Sequence, residues 1–326
     1  MAGAIQKLLI GASVIAGTSA IATSPAFAIS LTGASVTGVK GVDYFLYERV
    51  SNPNSATTDF TVLNNGADLQ TVLEGSCSVG GQFIPSKSCK KGEPGGNVEL
   101  FANSETLSLN AFLGYTKATS LSGNLGSKSI TLSSLTAKDW FGSNLDTSYG
   151  AKNLANEWFN AALSAYNVND NLLGLLGLTK AGIFNAALNN GVFQRFSDPN
   201  IAYVSQDDAT SKLEVGLIGH FNALDLVLGY LDPSDKQLLS FYLQGKPVQA
   251  SELVKITYDG ETKYHYSFSA AKSGLREQGD QVSHTGIYDP QLTSDTETES
   301  VPEPSAILGL IGVGGLFAAK RKLQKA

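Results

Sequence analysis

The residue types that most often carry catalysis or hold metals are sparse in this chain and are not grouped along it. The 326 residues include three histidines, His220, His265 and His284, and none stands in an H-E-x-x-H arrangement or at another paired-ligand spacing. A G-x-S-x-G nucleophile elbow and a P-loop are also missing from the sequence. A Ser-His-Asp triad stays open, because the members of a triad need not be adjacent. His265 stands between two tyrosines and is predicted to be a strand residue rather than a catalyst.

Paired carboxylates could perform the acid–base chemistry of glycoside hydrolysis, which needs two positioned acids. The obvious pairs are Asp207 with Asp208 and Asp232 with Asp235. Asp232 precedes Pro233 and is better explained as a helix cap, and the pair Asp207 and Asp208 as part of a loop between strands. We therefore predict no catalytic residue from these pairs.

Residues 167–171 alternate oxygen-bearing side chains in a way similar to a calcium-binding loop. The sixth position holds Leu172 instead of the glycine that such a loop requires, and no glutamate follows at the twelfth. A loop that connects two helices is the preferred interpretation. The sequence thus predicts neither a metal ligand nor a bound cofactor.

Tyr264 and Tyr266 are aromatic residues that could stack on sugar rings, and cross-strand packing explains them equally well. They lie in the clearest hairpin of the chain, where residues 253–258 and 261–268 flank the turn Asp259-Gly260. A two-residue turn predicts that Thr257 faces Thr262 and that Lys255 faces Tyr264.

The elements that would position such residues are mixed. Residues 31–130 are rich in β-branched and aromatic residues and in Gly, Ser and Asn, which is typical of short strands. Within them, residues 60–63 and 69–73 flank Asn64-Asn65-Gly66 and are predicted to pair as a hairpin. Residues 213–217 alternate apolar and polar side chains and predict a further strand.

Helices are predicted in the centre of the chain. Leu154, Trp158 and Ala165 recur at helical spacing, a second helix is predicted within residues 171–188, and a third from Asp232 onward. Strands and helices do not alternate regularly, which favours the α+β class over a parallel βαβ array. We predict a β-rich N-terminal part, central helices and a C-terminal β-hairpin.

Cys77 and Cys89 are the two cysteines of the chain. In an oxidising compartment an even pair is predicted to form one disulfide, which would constrain the unfolded chain by roughly 3 kcal/mol in the loop-entropy model. Two cysteines alone do not supply the four ligands of a structural zinc site.

The N-terminus has the features of a secretory signal peptide. Lys7 precedes an apolar run over residues 8–22, and Ala26-Phe27-Ala28 has the small-residue form that signal peptidase cleaves. We expect cleavage after Ala28, so that residues 1–28 are the signal peptide. The alternative is an N-terminal membrane anchor that is never cut.

The C-terminus has three parts in a fixed order. Pro302, Glu303 and Pro304 come first, a fourteen-residue apolar run follows over residues 306–319, and a basic tail ends the chain. At about 1.5 Å per residue the run spans roughly 21 Å, short of a hydrocarbon core of ~30 Å. By the positive-inside rule the basic tail stays in the cytoplasm, and the body of the chain lies on the opposite side of the membrane. The basic residues of this tail are Lys320, Arg321, Lys322 and Lys325.

These three parts together resemble a PEP-CTERM sorting signal, over about 25 residues. The resemblance implies recognition by exosortase, a membrane-embedded transpeptidase-like enzyme, with cleavage near the motif and transient contact with the inner membrane. It also implies release or attachment at the cell surface, often alongside exopolysaccharide. The alternative is an ordinary C-terminal anchor. Residues 155–159 and 197–201 are also similar to an uncharacterised group of PEP-CTERM proteins, which implies one secreted domain and no known activity.

The domain organisation follows from these ends. We predict a signal peptide at 1–28, a mature α+β domain at 29–272, a flexible acidic stalk at 273–300 and the sorting signal with a short transmembrane helix at 301–326. Lys7 and four tail residues are basic, while Glu303 is the single acid removed with the ends. Residues 29–301 therefore keep 18 basic and 28 acidic side chains, a formal charge near −10. Such a body does not suit nucleic acid, because phosphate binding needs clustered Lys and Arg.

Export together with a body that lacks catalytic motifs predicts a cell-surface or extracellular-matrix protein. We expect its partners to be signal peptidase, exosortase and an extracellular polysaccharide of a biofilm. Two alternatives from other classes are a secreted carbohydrate-active enzyme of the glycoside hydrolase type and a carbohydrate-binding module. The first requires two carboxylates about 5–10 Å apart in a cleft, and the second requires coplanar exposed aromatics on one sheet face.

Overall fold

Two large β-sheets of unequal size, one two-stranded sheet and a group of short helices make up the part of the chain that the structure describes. The structure is a computed structural model, and it describes residues 28–55, 57–74, 78–79, 82–83, 95–101, 104–207, 212–229, 233–243, 245–288 and 291–292. These residues all belong to one unit of the chain, residues 23–295.

The strands within the described ranges are mostly short. They are β1 (Ala28–Ser30), β2 (Thr32–Val36), β3 (Tyr44–Val50), β4 (Asp59–Leu63), β5 (Ser78–Val79), β6 (Gln82–Phe83), β7 (Gly96–Leu100), β8 (Ser120–Leu125), β9 (Lys128–Ser133), β10 (Asn200–Asp207), β11 (Leu213–Gly219), β12 (Val254–Tyr258), β13 (Glu261–His265), β14 (Ala271–Lys272), β15 (Leu275–Glu277), β16 (Gly286–Tyr288) and β17 (Gln291–Leu292).

The helices lie mainly between β9 and β12. They are α1 (Leu69–Glu74), α2 (Leu109–Gly114), α3 (Ala137–Phe141), α4 (Leu154–Ala165), α5 (Asp170–Leu176), α6 (Lys180–Asn189), α7 (Val192–Arg195), α8 (Leu224–Leu228) and α9 (Pro233–Tyr242), with a 3-10 turn at Ser104–Thr106. By length and composition, no single helix in the described ranges could cross a membrane. The pair α5 and α6, bent by 75° at its junction, meets that test only when both helices are taken together.

The larger sheet has the strand order β14-β16-β11-β10-β7-β3-β4-β15, with β1 also paired to β10 and β17 to β11. The smaller sheet has the order β13-β12-β9-β8-β2, and β5 pairs with β6 apart from both. Strand β15 runs parallel to β4, whereas the long central pairs are antiparallel. This mixture of antiparallel sheets and clustered helices confirms the predicted α+β class.

The two sheets share one apolar core. Successive side chains of a strand point to opposite faces, so Val98 and Leu100 of β7 point to the same side as Leu46 of β3. These residues are fully buried and form one cluster with Leu132 of β9 and Ile256 of β12. The residues between them, at odd positions of β3 and β7, therefore lie on the opposite face of the larger sheet.

A second core lies among the helices and is rich in aromatic rings. Trp140 packs edge-on against Trp158 and Phe193, with ring centroids 5.7 and 5.1 Å apart, and the Trp140 indole N–H donates to Ser197 Oγ at 2.8 Å. Helix α4 begins where the sequence predicts, because the Asn153 side chain accepts the backbone N–H of Asn156 and caps it. These helices are short and would have only marginal stability alone, so the burial of these rings stabilises them.

The predicted C-terminal hairpin is confirmed with its register. Thr257 pairs with Thr262 and Lys255 with Tyr264, as a two-residue turn requires. The predicted hairpin partner at residues 69–73 is wrong, since these residues form helix α1. Asp68 accepts the Thr71 backbone N–H at 2.9 Å and starts a helical turn, which buries Val72 and Leu73 on one side.

The predicted stalk also needs correction in its first part. The sequence predicts a flexible stalk over residues 273–300, yet β15, β16 and β17 join the larger sheet. Leu275 and Tyr288 are 2% and 0% exposed, and the Tyr288 hydroxyl donates to the His220 carbonyl at 2.7 Å. A few well-placed apolar residues thus dock a segment whose composition is mostly polar. Residues 293–300 lie outside the described ranges.

Candidate functional site

A cluster of carboxyl and amide side chains lies on the face of the larger sheet that points away from the shared core. Asn97 and Glu99 alternate with the core residues Val98 and Leu100 along β7. On the neighbouring strands, Tyr47 is the register partner of Asn97, and Asn200 is the register partner of Glu99. The strand alternation therefore brings these four side chains together, and we call this cluster, with Asp198 and Glu252, the carboxyl site.

Amide hydrogen bonds connect the strands to Glu252. The Asn97 side-chain N–H₂ donates to Asn200 Oδ1 at 2.6 Å. The backbone N–H of Asn200 donates to Glu252 Oε2 at 2.7 Å, and its side chain lies 3.3 Å from both carboxylate oxygens. Glu252 comes from the segment before β12, so these bonds join the end of the smaller sheet to the outer face of the larger one.

Gly96 permits the close approach of β3 and β7 beside this cluster. Its φ is +154°, and a Cβ at this position would lie 2.0 Å from the Tyr47 carbonyl oxygen. Any side chain would therefore separate the two strands. The glycine fixes the spacing at which Tyr47 and Asn97 stand opposite each other.

His284 packs against this cluster, although its local sequence does not indicate this position. Its Nδ1 lies 2.7 Å from Thr61 Oγ1, its Nε2 lies 3.4 Å from the Asn97 Nδ2, and its ring meets the Tyr47 ring edge-on at 4.8 Å. Because the Asn97 amide can only donate through Nδ2, Nε2 accepts and Nδ1 carries the proton. Burial lowers the His284 pKa to about 3, so the ring is neutral at physiological pH.

The backbone at His284 supports the same placement. Its φ is +63°, in the left-handed region that residues other than glycine seldom occupy. Such conformations cost on the order of 1–3 kcal/mol and persist where the surroundings hold them. The Ser273 hydroxyl donates to the His284 carbonyl and contributes to holding it.

Asp198 is the most enclosed acid of the cluster and is 5% exposed. Its Oδ2 accepts a hydrogen bond from Ser104 Oγ at 2.7 Å, while its Oδ1 has no hydrogen-bond partner among the described residues. Asn97, fully buried, likewise has an Oδ1 without a partner there. A buried polar atom without a partner costs about 1–3 kcal/mol, so two such oxygens in one cluster call for an explanation.

Burial and like charge raise the pKa values of all three carboxyl groups. Burial raises the pKa of Glu99 to about 7, although the Tyr47 hydroxyl donates a hydrogen bond to it. Burial raises the pKa of Asp198 well above its usual range, and the charges of Glu252 and Glu99 add to the effect. Burial does the same for Glu252, against the hydrogen bond from the Asn200 backbone. The nearby charge that acts on all three is again acidic, Glu105.

The rim of the carboxyl site is open to solvent in part. Glu99 and Glu252 keep partial exposure, and Glu105 is exposed. Arg195 Nε lies 4.0 Å from Glu105 Oε1, and both side chains are solvent-accessible. In the described ranges, no group of three or more His, Cys, Asp or Glu side chains has an arrangement that could hold a metal ion.

Most of the candidate site residues considered from the sequence lie outside the carboxyl site. His220 is partly buried beside Ser283, at 3.2 Å, and His265 pairs with Val254 at the end of β13. The Tyr264 hydroxyl donates to Asp139 Oδ1 at 2.8 Å, and Tyr266 packs on Phe268 with ring centroids 5.5 Å apart. Both tyrosines therefore have partners within the fold.

Asn169 of the loop at residues 167–171, Asp207 and Asp235 also belong to secondary-structure elements or to their caps. Asn169 caps helix α5 by accepting the Leu172 backbone N–H at 3.0 Å, which agrees with a helix-connecting loop. Asp207 ends β10, and Asp235 lies within α9. Ala28 begins β1. The other residues of these predictions lie outside the described ranges: Ala26, Cys77, Cys89, Asp208, Asp232, Pro302, Glu303, Pro304, Lys320, Arg321, Lys322 and Lys325.

Sequence reasoning missed Glu99, Asp198 and Glu252 because they are far apart along the chain. Glu99 stands between Val98 and Leu100, and an acid in such a strand usually faces solvent. Nothing in the local sequence shows that segments around Asp198, Glu252 and His284 cover that face. The alternation of Asn97 and Glu99 with buried neighbours was the single usable signal.

Comparison with known proteins identifies the C-terminal segment of the chain. No curated protein matches the chain, and no solved structure matches it. Residues 300–322 match the PEP-CTERM protein-sorting motif. This range includes Pro302, Glu303 and Pro304 and the basic residues 320–322. The chain therefore carries a PEP-CTERM sorting signal, and it is a secreted protein that exosortase sorts to the cell envelope or cell surface.

Proposed function

We propose that the protein is a non-catalytic component of the cell surface or extracellular matrix and associates with the exopolysaccharide of a biofilm. The observation that carries the proposal is the sorting motif at residues 300–322. The acidic body, near −10, suits solubility outside the cell. The resemblance to exosortase-sorted proteins, which often accompany exopolysaccharide, supplies the partner.

The processing that we propose has three covalent events. Signal peptidase cuts after Ala28, and exosortase cuts near Pro302-Glu303-Pro304 while the short apolar run is in the inner membrane. Cys77 and Cys89 form a disulfide as a thiol oxidant of the oxidising compartment takes up their two hydrogens. Each event changes the mass of the mature protein. Intact-mass measurement therefore reads all three at once.

The test is mass spectrometry of the protein isolated from the envelope of its native host, with and without exosortase. We expect a product that begins at Ile29, ends near Pro302 and weighs two hydrogens less than the reduced form. Simultaneous replacement of Pro302, Glu303 and Pro304 by Ala is expected to retain the protein in the membrane. Glu297→Ala, just before the matched residues, is the control and should be processed normally. An intact chain in the cytoplasm, uncut at both ends, would overturn the proposal.

A second candidate function is a secreted carbohydrate-active enzyme, and Asp198 and Glu252 favour it. Burial raises the pKa values of both carboxyl groups, and the charge of Glu252 adds to the effect at Asp198. A carboxyl group that stays protonated at neutral pH can act as the general acid of glycoside hydrolysis. In that reaction one acid protonates the glycosidic oxygen as its C–O bond breaks. The other takes a proton from the water that forms the new C–O bond.

Release of reducing ends from matrix polysaccharide tests this candidate. Hydrolysis that Glu252→Gln and Asp198→Asn both abolish would establish the enzyme and overturn the non-catalytic proposal. Retention on the polysaccharide without release of reducing ends would instead support a binding role.

A further inference from the structure

The carboxyl site presents hydrogen-bond acceptors that lack donors. Asn97 Oδ1 and Asp198 Oδ1 are buried and without partners among the described residues. Glu99 and Glu252, at the partly exposed rim, add carboxylate oxygens. The hydrogen-bond donors that the chain does supply already bind other oxygens: Ser104 binds Asp198 Oδ2 and Asn200 binds Glu252.

We propose that the carboxyl site binds a primary ammonium group. Resting on the proposed association with polysaccharide, we infer further that an amino sugar of that polysaccharide carries this group. The amide oxygen of Asn97 has no hydrogen-bond partner among the described residues. An amide group does not titrate, so this oxygen indicates an external donor independently of the protonation of the acids.

An ammonium group matches the site in donor number and in charge. It carries three N–H donors and one positive charge on a compact head. Asn97 Oδ1 and Asp198 Oδ1 lack donors among the described residues, and the carboxyl groups of Glu99 and Glu252 at the rim supply negative charge when they ionise. A neutral hydroxyl would supply one donor and no positive charge. Calcium usually requires six to eight oxygen ligands, more than the oxygens that Asn200 and Ser104 leave free.

Binding of a cation should couple to proton release. An opposite charge nearby favours the ionised form of a carboxyl group, so the acids that burial keeps protonated would ionise as the ligand enters. Affinity should therefore rise with pH over the range in which the amine of the ligand stays protonated. The titratable groups that face the three carboxyls, or the Asn97 amide beside them, are Tyr47 on β3, Glu105 in the 3-10 turn, Glu277 on β15 and His284.

The experiment is isothermal titration of the processed protein, isolated from its host envelope, with four probes. They are glucosamine oligomers, the matching N-acetylglucosamine oligomers, spermidine and calcium chloride. We expect glucosamine oligomers to bind with proton release, N-acetylated oligomers to bind at least tenfold more weakly, and calcium not to compete. The acetyl group removes the positive charge and two of the three N–H donors, and it adds an acyl group. Spermidine, which carries primary ammonium groups without a sugar ring, therefore serves as the second probe of the charge.

Variants assign the binding to the site. Glu252→Gln and Asp198→Asn should each weaken binding of glucosamine oligomers by about tenfold or more, since each leaves the cation with one less charged partner. Glu261→Gln, an exposed acid on β13, is the matched control and should change binding less than twofold. Glu252 is partly exposed, so its variant keeps the test decisive if Asp198→Asn fails to fold.

Each other outcome overturns a stated part of the proposal. Equal binding of N-acetylated oligomers, or an unaffected Glu252→Gln variant, overturns the ammonium site. Competition by calcium overturns it in favour of a metal. Binding of spermidine alone overturns the amino-sugar identity. Retention on the native matrix separates the two proposals: intact ammonium binding without retention refutes the proposed function, and retention that Glu252→Gln leaves unchanged refutes the site.

Discussion

The two faces of the larger sheet use the same strands for opposite purposes. On the inner face, Val98 and Leu100 are fully buried against residues of the smaller sheet and form a continuous apolar core. On the outer face, Asn97 and Glu99 of the same strand lie among carboxyl and amide groups, two of whose oxygens lack partners within the described residues. One strand of five residues thus contributes both to stability and to an arrangement that lowers stability.

The difference shows where the fold accepts an energetic cost. Burial of Leu100 contributes favourable transfer free energy, whereas enclosed carboxyls with raised pKa values oppose folding at neutral pH. Strain at His284 adds to the same side of the sheet. Costs that gather on one face, while the other is well packed, are typical of functional sites.

Among the substitutions that compare the two faces, Leu100→Ala should lower the free energy of unfolding the most. Leu100 is 0% exposed, and removing a buried Leu side chain costs about 2–5 kcal/mol. Leu63→Ala is the control, since Leu63 on β4 is 48% exposed and should change the free energy of unfolding by less than about 0.5 kcal/mol. Chemical denaturation measures both. Equal losses would show that the inner core does not dominate stability.

Glu99→Gln should have a smaller effect that depends on pH. Folding raises the Glu99 pKa to about 7, above the value of about 4.3 in unfolded chains. The folded state therefore binds the proton more tightly, and this stabilisation is complete below the unfolded pKa and is lost as pH rises through 7. We expect the free energy of unfolding to fall by on the order of 2 kcal/mol from pH 4 to pH 8 through this group.

Denaturation at a series of pH values checks this expectation. Glu99→Gln should flatten the decline, because the amide does not titrate, and Glu261→Gln should leave it unchanged. A slope that persists at full size in Glu99→Gln would mean that the outer face does not hold a protonated carboxyl at this position.

Asn169→Ala should have the smallest effect, and it lies away from both faces. Asn169 caps α5 through the Leu172 backbone N–H, and loss of such a cap costs about 1 kcal/mol. Asn171→Ala, inside the same helix, should cost less. Thermal melts with and without a calcium chelator measure both. A melting temperature that falls when calcium is removed would instead favour the calcium-loop interpretation.

Local patterns predicted the elements whose causes are local. The cap and apolar spacing of α4 and the turn Asp259-Gly260 of the C-terminal hairpin act within a few residues, and both elements formed where expected. The turn at Asn64-Asn65-Gly66 forms, with the Ala67 N–H donating to the Asn64 carbonyl at 2.9 Å. A helix follows it instead of a strand, because Asp68 caps the first turn of α1. Composition alone suggested a stalk from residue 273, although Leu275 and Tyr288 dock that segment on the sheet.

The carboxyl site could not be predicted in the same way, because its members meet only through tertiary contacts. Glu99 and Asn200 become neighbours through the pairing of β7 with β10. Glu252 and His284 reach them from segments more than fifty residues further along the chain. The sorting signal is the opposite case, since its parts are contiguous and need no fold to be recognised.

Carbon-13 NMR titration of the carboxyl groups of Glu99, Asp198 and Glu252 tests the central claim about the outer face most directly. With no ligand present, we expect Glu99 to titrate near pH 7 and the other two to titrate well above the ordinary range of aspartate and glutamate. Glucosamine oligomers should lower all three values. Titration of all three groups near pH 4, unchanged by the oligomers, would contradict the account.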